Sequence, residues 1–173
     1  MKAVLDACVL YPTVLREILT DPALVAHYAP VWTPRLRDEW LNAAARHGIR
    51  DVAGAEAALL AERIAPAADA RAIPAVDLPD AADLHVLAAA IDADAPLIVT
   101  LNLRDFPQRV LAPLGIRALH PDAFLLDLHR DHPGGVAQAV AAVHARAVRM
   151  GGDLPLRTLL KRSGLPRLAK VLA

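Results

Sequence analysis

The chain has 173 residues, is 55% hydrophobic and only 3% aromatic, and carries equal numbers of acidic and basic residues. This suits one globular domain with a sizeable, helix-rich core and excludes a disordered or low-complexity chain. The single cysteine excludes a disulfide framework or a thiolate zinc cluster, and no run approaches the ~18 apolar residues of a membrane span. Charge is nonetheless uneven. Residues 1–129 hold 17 acids against 11 Lys and Arg, whereas residues 130–173 hold 2 against 8. A basic tail on an acidic body suits phosphate or an acidic protein partner, or is simply a solvated helix face.

The first element, "AVLDACVL", reads as a central parallel strand, apolar on both faces and ended by Pro12. Its one charge, Asp6, is out of place there, because an unpaired buried acid costs several kcal/mol. Cys8 is expected to be a small core residue. Asp6 also interrupts the run too early for a signal peptide, so a cytoplasmic protein is expected. "TVLREILTDPALVAHYA" has helical spacing. Thr33 and Pro34 are the cap and first residue of a helix through "PRLRDEWLNAAAR", and "DVAGAEAALLAERIA" forms another, ended by Pro66.

Asp80 is the expected N-cap of a helix over 80–94, with Leu84, Leu87, Ala88 and Ile91 as its apolar face. "PLIVTL" is a second strand, followed by the loop "NLRDFP", and "GIRALHP" offers one more strand. The remaining chain is helical, with breaks expected at Gly134–Gly135 and Gly151–Gly152. Alternating strands and helices predict an α/β fold: a parallel sheet flanked by helices, with a helical C-terminal extension. The division falls at 1–125 and 126–173.

Sites in such sheets lie beyond the carboxyl ends of the strands. The candidate residues are Asp6, Glu39, Asp83 and Asp105, each beside an apolar element that aims it inward or at a strand end. Gathered carboxylates repel one another, and a divalent cation reverses that effect. A ligand set poor in His and Cys points to Mg²⁺ or Mn²⁺ rather than Zn²⁺, and Mg²⁺ binds well through one or two carboxylates with the others held through water. Each acid also has a plainer reading. Asp83 could serve a helix N-terminus, Glu39 could be a surface charge beside Arg35 and Arg37, and Asp105 could cap the turn after it. Asp6 lacks such an alternative.

In this order, "VLDACVLYP", "VWTPRLRDEW", "LPDAADLHVLAAAI" and "LIVTLNLRDFP" resemble the PIN-domain family, in particular its ribonuclease toxins of toxin–antitoxin pairs. The helical stretch from "HPDAFLLDL" to "SGLPRLAKVLA" resembles the C-terminal extension of one bacterial branch. The resemblance implies a PIN-like fold and a Mg²⁺- or Mn²⁺-dependent endoribonuclease. It maps the family's acids onto Asp6, Glu39, Asp83 and Asp105, with Asp80 as a nearby fifth. Thr100 and Asn102 fall where the family places a ligand-orienting polar residue. It also implies an RNA substrate, a cognate antitoxin and a homodimer. The chain departs from the more usual "DANVL" by having Cys8, which cannot supply the hydrogen bonds of an amide.

His85 and Arg104 are weaker candidates for contact with RNA or an antitoxin. His85 is expected on a helix surface, and Arg104 has a fork suited to phosphate or carboxylate. Trp32 and Trp40 are expected to pack. A phosphotransferase of the haloacid-dehalogenase type would need D-x-D-x-T, and Cys8 stands at the second acid. A non-catalytic PIN-like module binding RNA or protein is the remaining alternative.

Overall fold

In the computed structural model, which describes residues 1–72, 74–151 and 154–173, strand β1 (Lys2–Leu5) ends one residue before Asp6. The apolar run therefore divides: a short helix α1 (Ala7–Leu10) takes its second half, and the Asp6 carbonyl accepts from Val9 and Leu10 N–H. The strand expected to continue past Asp6 is thus a strand followed by a helical turn. Asp6 sits at a strand end rather than inside a strand. A continuous apolar run has no periodicity to separate the two states.

Helices α2 (Thr13–Leu19) and α3 (Pro22–Val25) follow, interrupted at Asp21, whose side chain accepts from Ala23 N–H. Strand β2 is Ala29–Val31. Helix α4 (Pro34–Ala45) starts as expected, with the Thr33 side chain accepting from Leu36 N–H, and α5 covers Arg50–Arg63. A 3-10 turn at Ala81–Asp83, capped by Asp80, leads into α6 (Leu84–Asp92). On α6, Ile91 is 38% exposed, whereas His85 through Ala90 are buried, so the helix is covered on most sides and its apolar face differs from the expected stripe.

Strand β3 (Leu97–Val99), a 3-10 turn at Leu103–Asp105, α7 (Gln108–Leu111) and β4 (Arg117–Leu119) complete the sheet region. Gly115, with φ of 69°, makes the left-handed turn into β4. The extension contains α8 (Pro121–Asp131), α9 (Pro133–Arg149), α10 (Leu156–Arg162) and α11 (Leu168–Leu172). Residues 125 and 126, where the sequence divides, lie within α8. Gly134 and Gly135 belong to the first turn of α9 rather than to a break. A Cβ at Gly135 would lie 2.7 Å from His27 Nε2, so only glycine lets α9 approach α3 this closely. Gly152 of the second expected break lies outside the described residues.

The four strands are parallel, in the order β2-β1-β3-β4. Val4, Leu5, Ile98 and Val99 are fully buried, as central parallel strands require, and each contributes about 1.5–3 kcal/mol by leaving water. Trp32 and Trp40 do pack in the core. A buried cation, Arg16, ties three elements together: it donates to the Leu10 carbonyl at 2.7 Å, pairs with Glu56 at 2.8 Å and lies 4.5 Å over the Trp40 ring. Among the described residues, no helix is long and apolar enough to cross a membrane.

Candidate metal centre

Strand register fixes the first part of the site. Leu5 pairs with Val99, and Val99 pairs with Leu119, so Asp6 and Thr100 leave the ends of adjacent strands side by side. The Asp6 N–H still donates to the Val99 carbonyl at 3.1 Å. Thr100, wholly buried, donates its hydroxyl to Asp6 Oδ2 at 2.7 Å and accepts from Asn102 N–H at 3.0 Å.

Cys8 reaches the same oxygen. Its thiol donates to Asp6 Oδ2 at 3.1 Å, and its sulfur accepts from Leu101 N–H at 3.2 Å. It is half-buried, packed against the core as expected and also hydrogen-bonded into the site. Burial, then the charge of Asp6, pushes the Cys8 thiol up to about 12, so it remains protonated and able to donate. With both donors on Oδ2, Asp6 Oδ1 accepts no hydrogen bond among the described residues. Asp6 is thus anchored at the strand end through one oxygen only.

Three other segments bring acids to this edge. Glu39 comes from α4, Asp83 from the turn before α6, and Asp105 from the turn after β3. Asp6, Glu39 and Asp83 line one cleft of about 440 Å³, together with Cys8 and Asn102. The Asp83 carboxyl is pushed up to about 6, first by burial and then by the charges of Asp6, Asp105, Asp80 and Glu39. All four candidate acids and Asp80 therefore act on one neighbourhood. Asp80 itself is exposed and caps the turn through Ala82 N–H.

His85 is buried rather than on the surface, with Nε2 2.7 Å from Glu39 Oε1. The approach is off-line, and neither ring nitrogen has a hydrogen-bond partner among the described residues. Arg104 is exposed and does not line the cleft. The sequence reading missed Arg46 and His47, which line the cleft at the end of the helix that carries Glu39, with the Tyr11 ring 6.0 Å from that of His47. Arg46 lies seven residues after Glu39, two turns along the same helical face, and that spacing was the available signal.

Among the described residues, no three His, Cys, Asp or Glu side chains stand close enough to ligate one ion directly. The donor set nevertheless fits a hard cation. It is all oxygen, it repels itself, and Mg²⁺ needs only one or two direct carboxylates with the rest reached through water.

Comparison with known proteins gives two matches. A family model described as "PIN domain" matches residues 2–104. "Putative ribonuclease VapC50" of Mycobacterium tuberculosis (strain ATCC 25618 / H37Rv) is 60% identical over 45 residues, covering 26% of this chain and 27% of that protein. The matched stretch thus spans about a quarter of the relative's length. No solved structure matches the chain.

Proposed function

The chain belongs to the PIN-domain family, and from that premise we propose that it is a metal-dependent endoribonuclease, the toxin of a toxin–antitoxin pair. The observation that supports this reading is that Asp6, Glu39 and Asp83 line one cleft at the carboxyl edge of the sheet and that the charge of Asp105 acts on Asp83. Such a cluster is unfavourable alone and useful around a cation. The partial likeness to a protein described as a ribonuclease adds to it.

A Mg²⁺ or Mn²⁺ ion would supply polarisation of a phosphoryl oxygen and acidification of water. Asp6, Asp83 and Asp105 would hold it, one or two of them directly and the rest through water. The anchored Asp6 Oδ2 keeps Oδ1 facing its ligand without a rotamer search. Glu39, in contact with His85, orients the attacking water and takes its proton as the new P–O bond forms; the chain P–O bond breaks and the departing sugar oxygen takes a proton from solvent water. Arg46, which also lines the cleft, suits a phosphate of the strand being cut.

A cytoplasmic RNA substrate, a cognate antitoxin that blocks the cleft, and a homodimeric assembly follow from the same family reading. The division into a nuclease domain over 1–125 and an extension over 126–173 also stands as a proposal. The test is RNA cleavage by purified protein with Mn²⁺ and with chelator, using the Asp6→Asn variant as the control for contaminating nuclease. Cleavage with Mn²⁺ by wild type alone supports the reading. RNA binding without cleavage favours the non-catalytic module.

A further inference from the structure

The basic tail is not one thing. Its first part is structural: Arg146 on α9 donates to Glu17 at 3.0 Å and lies 3.8 Å from Asp21, pinning α9 to α2 and α3. Its second part is different. Residues 154–173 hold five cations, Arg157, Lys161, Arg162, Arg167 and Lys170, and no acid. All five are exposed, and among the described residues none makes an ion pair. The apolar residues Leu159, Leu160, Leu165, Leu168 and Ala169 are buried beneath them. The two helices are thus seated on the body by their apolar side and present an all-cationic outer side.

Their place is fixed by Asp122. This carboxylate is 4% exposed and accepts from Arg167 N–H at 3.0 Å and Leu168 N–H at 2.9 Å, clamping the start of α11. Asp122 lies just past the end of β4, as Asp6 lies just past the end of β1, with β3 between them. Strand spacing of about 4.8 Å puts those two strand ends about 10 Å apart on the same edge. The start of α11 therefore lies at the sheet edge that carries the carboxylate cleft, and α10 packs against α11.

Resting on the nuclease reading above, we propose that α10 and α11 form a surface that holds the phosphate backbone of RNA next to the cleft. The carboxylates of the cleft repel a polyanion and Arg46 is the one Lys or Arg lining it, so further cations are needed for affinity. Five exposed cations on α10, α11 and the turn between them, none in an ion pair among the described residues, supply it. Residues 154–173 contain no aromatic residue, so the surface grips backbone and does not read bases. An acidic protein is the competing occupant, and RNA is favoured because the cleft requires a phosphodiester at that edge.

The experiment compares wild type with an Arg157→Gln/Lys161→Gln/Arg162→Gln variant, all three residues being exposed. A fluorescent single-stranded RNA oligonucleotide is titrated with chelator present, over a range of salt. The variant should lose at least about tenfold in affinity at low salt, and its log K against log salt slope should fall by about 2, at ~0.7 for each phosphate no longer neutralised. With Mn²⁺, KM for RNA should rise while kcat holds. Unchanged affinity and salt slope would overturn the proposal, as would unchanged RNA binding with loss of binding to immobilised polyglutamate. Wild type that binds RNA through this surface but does not cut it sinks the nuclease reading and leaves the surface standing. Wild type that does not bind RNA at all sinks both.

Discussion

Thr100 Oγ1 donates a 2.7 Å hydrogen bond to Asp6 Oδ2, joining the ends of two adjacent strands through a hydroxyl with no solvent exposure. Thr100→Val keeps the shape but removes both this bond and the acceptor for Asn102 N–H. It should cost about 1–3 kcal/mol in urea unfolding, since buried polar groups lose partners. Thr100→Ser should cost about 1 kcal/mol, the loss of one buried methyl, and should retain far more of the cleavage rate. Equal activity in the two variants would reduce Thr100 to packing.

Asp6→Asn keeps an oxygen that can accept from Thr100 and Cys8 while removing a charge from the acidic cluster. The metal-free variant should be as stable as wild type or more so, and inactive on RNA. Asp6→Ala strands both donors and should lose about 1–3 kcal/mol. A large loss in metal-free Asp6→Asn would mean that the charge itself supports the fold.

The Asp83 carboxyl stands at about 6 in the folded protein, against an ordinary 3.8. The folded state then binds the proton more tightly than the unfolded state. Ionisation therefore costs stability: the cost is absent below about 4, grows as pH rises toward 6, and is fully present above it. Melting of metal-free protein should accordingly shift to lower temperature between pH 4 and pH 6 from this group, and Asp83→Asn should flatten that fall. Added Mn²⁺ should oppose it at pH 7, because a bound cation favours the ionised form. A metal-free melting curve that rises through that window in wild type and falls in Asp83→Asn would contradict the assignment.

Much of this was readable beforehand, for identifiable reasons. Thr33–Pro34 stated the start of α4, and the β-branched "LIV" stated β3, because capping and strand preference are local. The end of β1 was not readable. "VLDACVL" is uniformly apolar around Asp6, and only the pairing of Leu5 with Val99 decides where the strand stops. The contact of His85 with Glu39 joins residues far apart in sequence and gave no local signal, and an amphipathic reading of α6 placed that histidine outside. Cys8 looked like a core residue because its chemistry depends on Asp6, Thr100 and Leu101 meeting it. Asp122 drew no notice in the sequence, because its partners are more than forty residues on.

Asp122→Ala should detach α11 while leaving the sheet intact. Two hydrogen bonds to a buried carboxylate disappear, at roughly 2–3 kcal/mol in unfolding. Limited proteolysis should then cut within residues 154–173 before the body. A variant with wild-type stability and the same digestion pattern would show that the extension is held by its apolar side alone.

The most direct measurement is calorimetric titration of Mn²⁺ into chelator-treated wild type, Asp6→Asn and Asp105→Asn at pH 7, with each variant's folding verified first. Saturable binding in wild type, weakened at least about tenfold in both variants, is the predicted result. Equal binding by all three proteins, or none by wild type, would contradict a cation shared among these acids.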